Sequence, residues 1–148
     1  MSGPSAELVD GVSVIVRTHA GGEWIGKALQ SLVDQTLDPS KFEIAVVVNG
    51  PADATSAVIA EFRQKYPDHN FKVVHSPVWG GGPATNVGFG AAGRTYVTIV
   101  DDDDWVSPRY LAALFAAAKP NSVVHAFLAD VDPDDRDCAD FDTYLNRS

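Results

Sequence analysis

Tyr96-Val97-Thr98-Ile99-Val100-Asp101-Asp102-Asp103-Asp104-Trp105 is an apolar, β-branched run that ends abruptly in four aspartates. Its first half has the composition of a buried strand. Its second half sets four carboxylates side by side, where they repel one another unless a cation offsets the charge. A solvated acidic run is the ordinary alternative, but such runs lie in polar, low-complexity surroundings. Here the flanks are β-branched residues on one side and Trp105 with Ser107-Pro108 on the other. The stretch reads as a strand end that delivers carboxylates to a metal and an anion.

Working outward, the chain alternates two periodicities. Before this strand, Gly80-Gly81-Gly82-Pro83 opens a small-residue helix with Pro83 at its first position. After it, Ser107-Pro108 caps and starts an alanine-rich helix bearing Leu111, Leu114 and Phe115, which Pro120 ends, and Ser122 to Leu128 reads as a fifth strand. Toward the N-terminus, Phe71 to His75 forms a third strand. A helix carrying Val58, Ile59 and Phe62, capped by Asp53 or Thr55, precedes it. Phe42 to Val48 is a second buried strand, stopped by Asn49-Gly50-Pro51. Trp24, Ile25, Ala28, Leu29, Leu32 and Val33 mark one face of a helix that follows the first strand, Val12 to Val16. Residues 1–10 are small and polar and read as a flexible terminus.

Strands alternating with helices at this spacing imply βαβ crossovers, hence an α/β fold: a Rossmann-like, three-layer α/β/α arrangement with a mostly parallel sheet of about five strands. In such sheets ligands bind outside the carboxyl ends of the strands. Those ends deliver Arg17-Thr18-His19, Val48-Asn49-Gly50, His75-Ser76-Pro77 and Asp101 to Asp104. One site assembled from loops distant in sequence is expected there.

Composition narrows the function classes. At 148 residues and 45% hydrophobic content the chain fits one domain with a sizeable core. A net charge of -9, with few and scattered basic residues, argues against nucleic-acid binding. The single cysteine, Cys138, excludes an internal disulfide and a zinc-thiolate cluster. No signal peptide and no stretch approaching the ~20 apolar residues of a membrane span is visible, so a soluble, cytoplasmic protein is the expectation.

Two motif matches do not carry chemistry. Gly88-Phe89-Gly90-Ala91-Ala92-Gly93 spells G-x-G-x-x-G, but it ends a helix instead of opening one, so the glycines read as close helix packing and a helix stop. Asp130-Val131-Asp132-Pro133-Asp134 starts like a calcium loop yet has Asp135 where the loop needs glycine and Phe141 where it needs glutamate.

With these residues in place, the chain resembles the N-terminal, nucleotide-sugar-binding half of a family 2 glycosyltransferase of the GT-A fold. The resemblance is carried by Val12 to Thr18, Ala28 to Thr36, Phe42-Glu43-Ile44 with Val47-Val48-Asn49-Gly50, Asn86-Val87-Gly88, and Asp101 to Asp104 with Pro108. It implies a metal-dependent, inverting transfer of a sugar from a nucleotide-diphospho-sugar donor to an unknown hydroxyl acceptor, with Mn2+ or Mg2+ as cofactor. The family's DXD motif falls on Asp101, Asp102 and Asp103. By that likeness Asp103, with Asp101, holds the cation, and Asp101 and Asp102 also face the donor. Arg17, Thr18, His19, Asn49, Thr85 and Asn86 complete the implied donor-binding set.

The chain also departs from the pattern. Val48 and Asn49 stand where the family often has two acidic residues, and Thr85 stands where an arginine commonly precedes the asparagine, so a positive charge near the donor is missing unless Arg17 or His19 supplies it. The organisation expected is a flexible terminus over residues 1–10, a nucleotide-sugar-binding domain over 11–130, and an acidic tail over 131–148 leading toward an acceptor-binding half. The general base that deprotonates the acceptor is expected beyond Ser148. Two alternatives stay open: a non-catalytic nucleotide-sugar-binding or interaction module, and a nucleotidyltransferase. The second is disfavoured because Ala20-Gly21-Gly22-Glu23 carries an acid where a phosphate-gripping loop needs a base.

Overall fold

The computed structural model describes residues 7–50, 54–126 and 128. The chain runs β1 (Val9–Thr18), α1 (Ile25–Val33), β2 (Phe42–Val48), α2 (Ala54–Lys65), β3 (Phe71–His75), α3 (Gly81–Ala91), β4 (Arg94–Asp101) and α4 (Tyr110–Ala117). All strand pairs are parallel, in the order β3-β2-β1-β4. This is the α/β fold expected from the alternation of strands and helices.

Residue alternation explains the layers. Val12, Val14 and Val16 of β1 and Ile44, Val46 and Val48 of β2 turn to one face, where Ile25, Leu29 and Leu32 of α1, Ile59 of α2 and Leu111 of α4 cover them. Ile15, Ala45 and Val47 turn to the other face, under Ala84 of α3. Each such aliphatic side chain taken out of water contributes about 1.5–3 kcal/mol. Buried on both faces, β1 and β2 have to be continuous apolar runs.

Gly88 shows why α3 carries glycines. A Cβ there would come within 2.4 Å of the Ile15 side chain, so only glycine lets the helix lie this close to the sheet. The first glycine of the G-x-G-x-x-G match is thus a packing device.

At the amino-terminal end of the sheet, Glu43 of β2 is a buried carboxylate with a full set of partners. Its Oε1 accepts from Ser13 Oγ at 2.7 Å and from the Gly93 N–H at 2.7 Å, and Lys72 Nζ lies 2.9 Å from Oε2. Burial pushes the carboxyl up, but the hydrogen bonds from Lys72, Gly93 and Ser13 outweigh it and leave it below its ordinary value.

Several expected boundaries shift. The fifth strand expected over Ser122 to Leu128 is absent from the sheet at its described residues. Asn121, with φ 56°, turns the chain after Pro120, and Val123 is left 82% exposed with no ladder partner. Among the described residues β4 keeps an outer edge, so apolar composition alone does not bring a segment into the ladder. β1 starts at Val9, inside the stretch expected to be a loose terminus, because Val9 pairs with Arg94 across an irregularity at Gly11. Pro83 is the third residue of α3, where its missing N–H costs no intrahelical bond. α4 begins at Tyr110, since the Ser107 and Pro108 carbonyls accept from Gln35 Nε2 and the Thr36 N–H at the end of α1. Of the two caps expected for α2, Asp53 lies outside the described residues and Thr55 lies inside the helix.

Candidate donor-binding site

The sheet order places β1 between β2 and β4, so the chain leaves β1 toward β2 and returns later on its other side at β4. That change of direction opens a crevice at the carboxyl ends of the two strands, the place where doubly wound sheets bind ligands. Arg17 and Asp101 are register partners across it. An open cleft of about 470 Å³ sits there, lined by Arg17, Thr18, His19, Asn49, Trp79, Gly80, Gly81, Ala84, Asp101 and Asp102. Its size suits a small organic ligand.

β1 supplies three consecutive side chains. Arg17 donates from Nε at 2.9 Å, and also from Nη2, to Asp101 Oδ1. Its Nη1 donates at 3.1 Å to Thr85 Oγ1, whose hydroxyl in turn donates to the Gly81 carbonyl at 2.8 Å. The guanidinium therefore bridges β4 and the first turn of α3. Thr18 is buried, and its Oγ1 has no hydrogen-bond partner among the described residues. An unsatisfied buried hydroxyl costs stability, about 1–3 kcal/mol, unless a ligand or water completes it. His19 Nδ1 donates to the Asn49 carbonyl, leaving Nε2 as the acceptor, and its ring meets Trp79 edge-on at 6.0 Å.

The β2 and β3 loops are laced to that strand. The Asn49 N–H donates to the Thr18 carbonyl at 2.9 Å, and its side-chain amide donates to the Gly80 carbonyl at 2.7 Å. Asn49 thereby spends a donor on holding the turn before α3 and keeps Oδ1 for the cleft. The first turn of α3 opens into the cleft with no side-chain cap, an arrangement suited to anions.

β4 delivers the carboxylates. Asp101 and Asp102 line the cleft, and the Asp104 N–H closes the turn by donating to the Asp101 carbonyl at 3.1 Å. Gly21 makes room for Asp102: a Cβ at that position would lie 2.1 Å from Asp102 Oδ2 and 2.6 Å from Thr18 Oγ1. Partial desolvation, then the negative charges of Asp103, Asp101 and Asp102, push the Asp104 carboxyl above its ordinary value. Among the described residues no group of three or more His, Cys, Asp or Glu side chains converges into a metal cage.

Of the residues singled out from the sequence, Arg17, Thr18, His19, Asn49, Asp101 and Asp102 meet in the cleft, and Thr85 joins through Arg17. Asp103 is exposed in the following turn, and Asn86 is exposed on α3 outside the lining. Gly21, Gly80, Gly81 and Ala84 were not anticipated as site residues, although Gly80-Gly81-Gly82 after a strand was a visible signal of close backbone approach. Trp79, 76% exposed, stands at the rim of the cleft, whereas the Trp105 ring is taken by Lys27, whose Nζ lies 3.7 Å from its centroid.

The sequence model of glycosyl transferase family 2 matches residues 13–139, and the chain belongs to that family. Glycosyltransferase GlyA of Streptococcus pneumoniae serotype 4 is 32% identical over 106 residues, 72% of this chain and 15% of that protein. The poly(ribitol-phosphate) beta-N-acetylglucosaminyltransferase TarS of Staphylococcus aureus (strain Mu50) is 33% identical over 101 residues, 67% of this chain and 17% of that protein. The crystal structure of S. aureus TarS 1-349 in complex with UDP-GlcNAc superposes with a TM-score of 0.64 at 29% identity, covering 72% of this chain and 30% of that one. The mannosyltransferase PcManGT of Pyrobaculum calidifontis, in complex with GDP-Man and Mn2+, shares the fold with a TM-score of 0.66 at 23% identity, covering 78% and 36%. The chain therefore spans about a third or less of the length of these relatives. No helix among the described residues is long and apolar enough to cross a membrane.

Proposed function

We propose that this chain forms the nucleotide-diphospho-sugar-binding portion of a metal-dependent, inverting glycosyltransferase that transfers a sugar to a hydroxyl acceptor in the cytoplasm. The observation that carries this reading is the convergence of Arg17, Thr18, His19, Asn49, Asp101 and Asp102 on one cleft at the switch point of the sheet. Residues 11–130 are read as the donor domain.

The residues present suit a hard divalent cation. Carboxylate oxygens are the ligands Mg2+ and Mn2+ prefer, and these ions take one or two carboxylates together with substrate phosphates in place of an all-protein cage. The unpartnered Thr18 hydroxyl and the pocket that Gly21 leaves for Asp102 mark the same spot as built for a polar guest. Asp101 and Asp103 would hold the cation. When bound, it neutralises charge developing on the departing diphosphate. Asp102, Thr18 and Asn49 Oδ1 would orient the nucleoside, and Arg17 with Thr85 and Asn86 the phosphate side. His19 and Trp79 would wall the cleft against water. With these carboxylates committed to metal and donor, the base for the acceptor hydroxyl falls outside the set.

The reading is supported by the S. aureus relative captured with UDP-GlcNAc and by the archaeal fold neighbour captured with Mn2+. Calorimetric titration with UDP, GDP and their sugars, with and without manganese, tests it. Metal-dependent binding that disappears in Asp103→Ala is the expected result. Equal binding by that variant would remove the DXD assignment.

A further inference from the structure

The cleft contains its own counter-ion. Arg17 is fixed opposite Asp101 by strand register, not by a loop: the two residues pair across β1 and β4 and sit 84 positions apart in the chain. Two of its nitrogens address a single carboxylate oxygen, and a third is tied through Thr85 to the first turn of α3. The guanidinium is therefore anchored on both sides of the crevice. It occupies Asp101, one of the two residues assigned to the cation, while Asp103 stands exposed outside the cleft lining. Among the described residues nothing else converges to make a metal cage.

We propose that Arg17 guards the metal site: in the free protein it neutralises Asp101 and disfavours a divalent cation there, so that the cation enters with the diphosphate. The inference rests on the donor-site reading above. Its physical basis is competition. Both Arg17 contacts fall on Oδ1 of Asp101, so the competition is electrostatic: the guanidinium offsets the charge that would attract a divalent cation and repels the cation directly. A nucleoside diphosphate brings several negative charges and its own metal-ligating oxygens. Those oxygens give Arg17 a second anion to grip in its fork geometry, and they release Asp101 to the cation. Arg17 already lines the cleft. Thr85 sets how firmly the guard is held.

The test is Mn2+ binding to the free chain, followed by the electron paramagnetic resonance signal of unbound Mn2+, beside calorimetric binding of UDP and of GDP in the presence of Mn2+. Wild type is expected to hold Mn2+ weakly alone. Arg17→Gln should tighten Mn2+ binding to the free chain at least about fivefold while weakening diphosphate binding, the opposite signs expected of a coupling residue. Thr85→Val should move Mn2+ binding in the same direction by less. Arg17→Lys, which keeps the charge and loses the fork, should stay close to wild type for Mn2+ alone. Thermal melts confirm that each variant is folded. Mn2+ binding to the free chain that is unchanged or weaker in both Arg17→Gln and Thr85→Val overturns the proposal. Failure of wild type to bind either diphosphate with Mn2+ would instead overturn the donor-site reading itself.

Discussion

Glu43 and Asp101 stand near opposite ends of one parallel sheet, and the protein treats their ends differently. Around Glu43, a hydroxyl, a backbone N–H and an ammonium saturate the two oxygens, and the carboxyl sits below its ordinary value. Around Asp101 to Asp104 the ion pair among the described residues is that of Arg17 with Asp101, a buried threonine hydroxyl there lacks a hydrogen-bond partner, and Asp104 sits above its ordinary value. A saturated carboxylate has nothing left to bind and serves structure. An undersaturated cluster stores electrostatic strain that a cation and a ligand can relieve. The amino-terminal end of the sheet holds a satisfied buried network, and the carboxyl end holds the cleft proposed to bind the donor.

The comparison is broken most directly by removing Glu43. Glu43→Ala should cost about 3–5 kcal/mol in urea unfolding, because it removes the acceptor of the Ser13 hydroxyl and the Gly93 N–H and the carboxylate partner of Lys72. The folded fraction should still bind its ligand. Gly88→Ala should come next, costing about 1–3 kcal/mol as its methyl drives into Ile15 beneath α3. Gly21→Ala should show the reverse pattern. Its methyl would displace the Asp102 carboxylate, which is flexible, so unfolding should change little while metal-dependent diphosphate binding weakens at least tenfold, about 1.4 kcal/mol.

The pH dependence of the two ends sharpens the same contrast. The depressed Glu43 contributes stability that is complete above the ordinary glutamate range and is lost as pH falls through its folded value. The gap in unfolding stability between wild type and Glu43→Gln should therefore close in acid. Asp104 has the opposite sign. Its raised folded value makes stability fall as pH rises from the ordinary aspartate value through the raised one. Asp104→Asn should raise Tm slightly at neutral pH and lose that advantage in acid, the smallest effect of the set.

Legibility from sequence followed the physics of each element. β2 and β3 fall where the apolar runs place them: β2 is buried on both faces, and β3, at the sheet edge, buries Phe71 and half-buries the three residues after it. β1 and β4 run longer than their apolar cores, since the ladder continues into Arg17, Thr18 and Asp101, polar residues that the site requires. The apolar run from Ser122 gave no warning that its described residues stay out of the ladder, for pairing is a tertiary fact. Site residues were legible as types at strand ends. Their relations were not: the Arg17 and Asp101 pair depends on strand register, and the Asn49 amide turned toward Gly80 depends on the path of the loop before α3. Glu43 was visible as a lone charge in an apolar strand, a signal of a buried network whose partners, Ser13, Lys72 and Gly93, lie on three other segments.

The central claim is that the carboxyl end of the sheet binds a nucleotide diphosphate with a divalent cation while the amino-terminal end does not take part. Amide chemical shifts of the isotope-labelled chain, recorded as Mg2+ and a nucleoside diphosphate are added together, test it most directly. Shifts are expected to concentrate at Arg17 to Gly22, Asn49-Gly50, Gly80 to Ala84 and Asp101 to Asp104, with Ser13, Glu43, Lys72 and Gly93 unmoved. Shifts centred on Glu43 and its partners, or none at the aspartate turn, would contradict it.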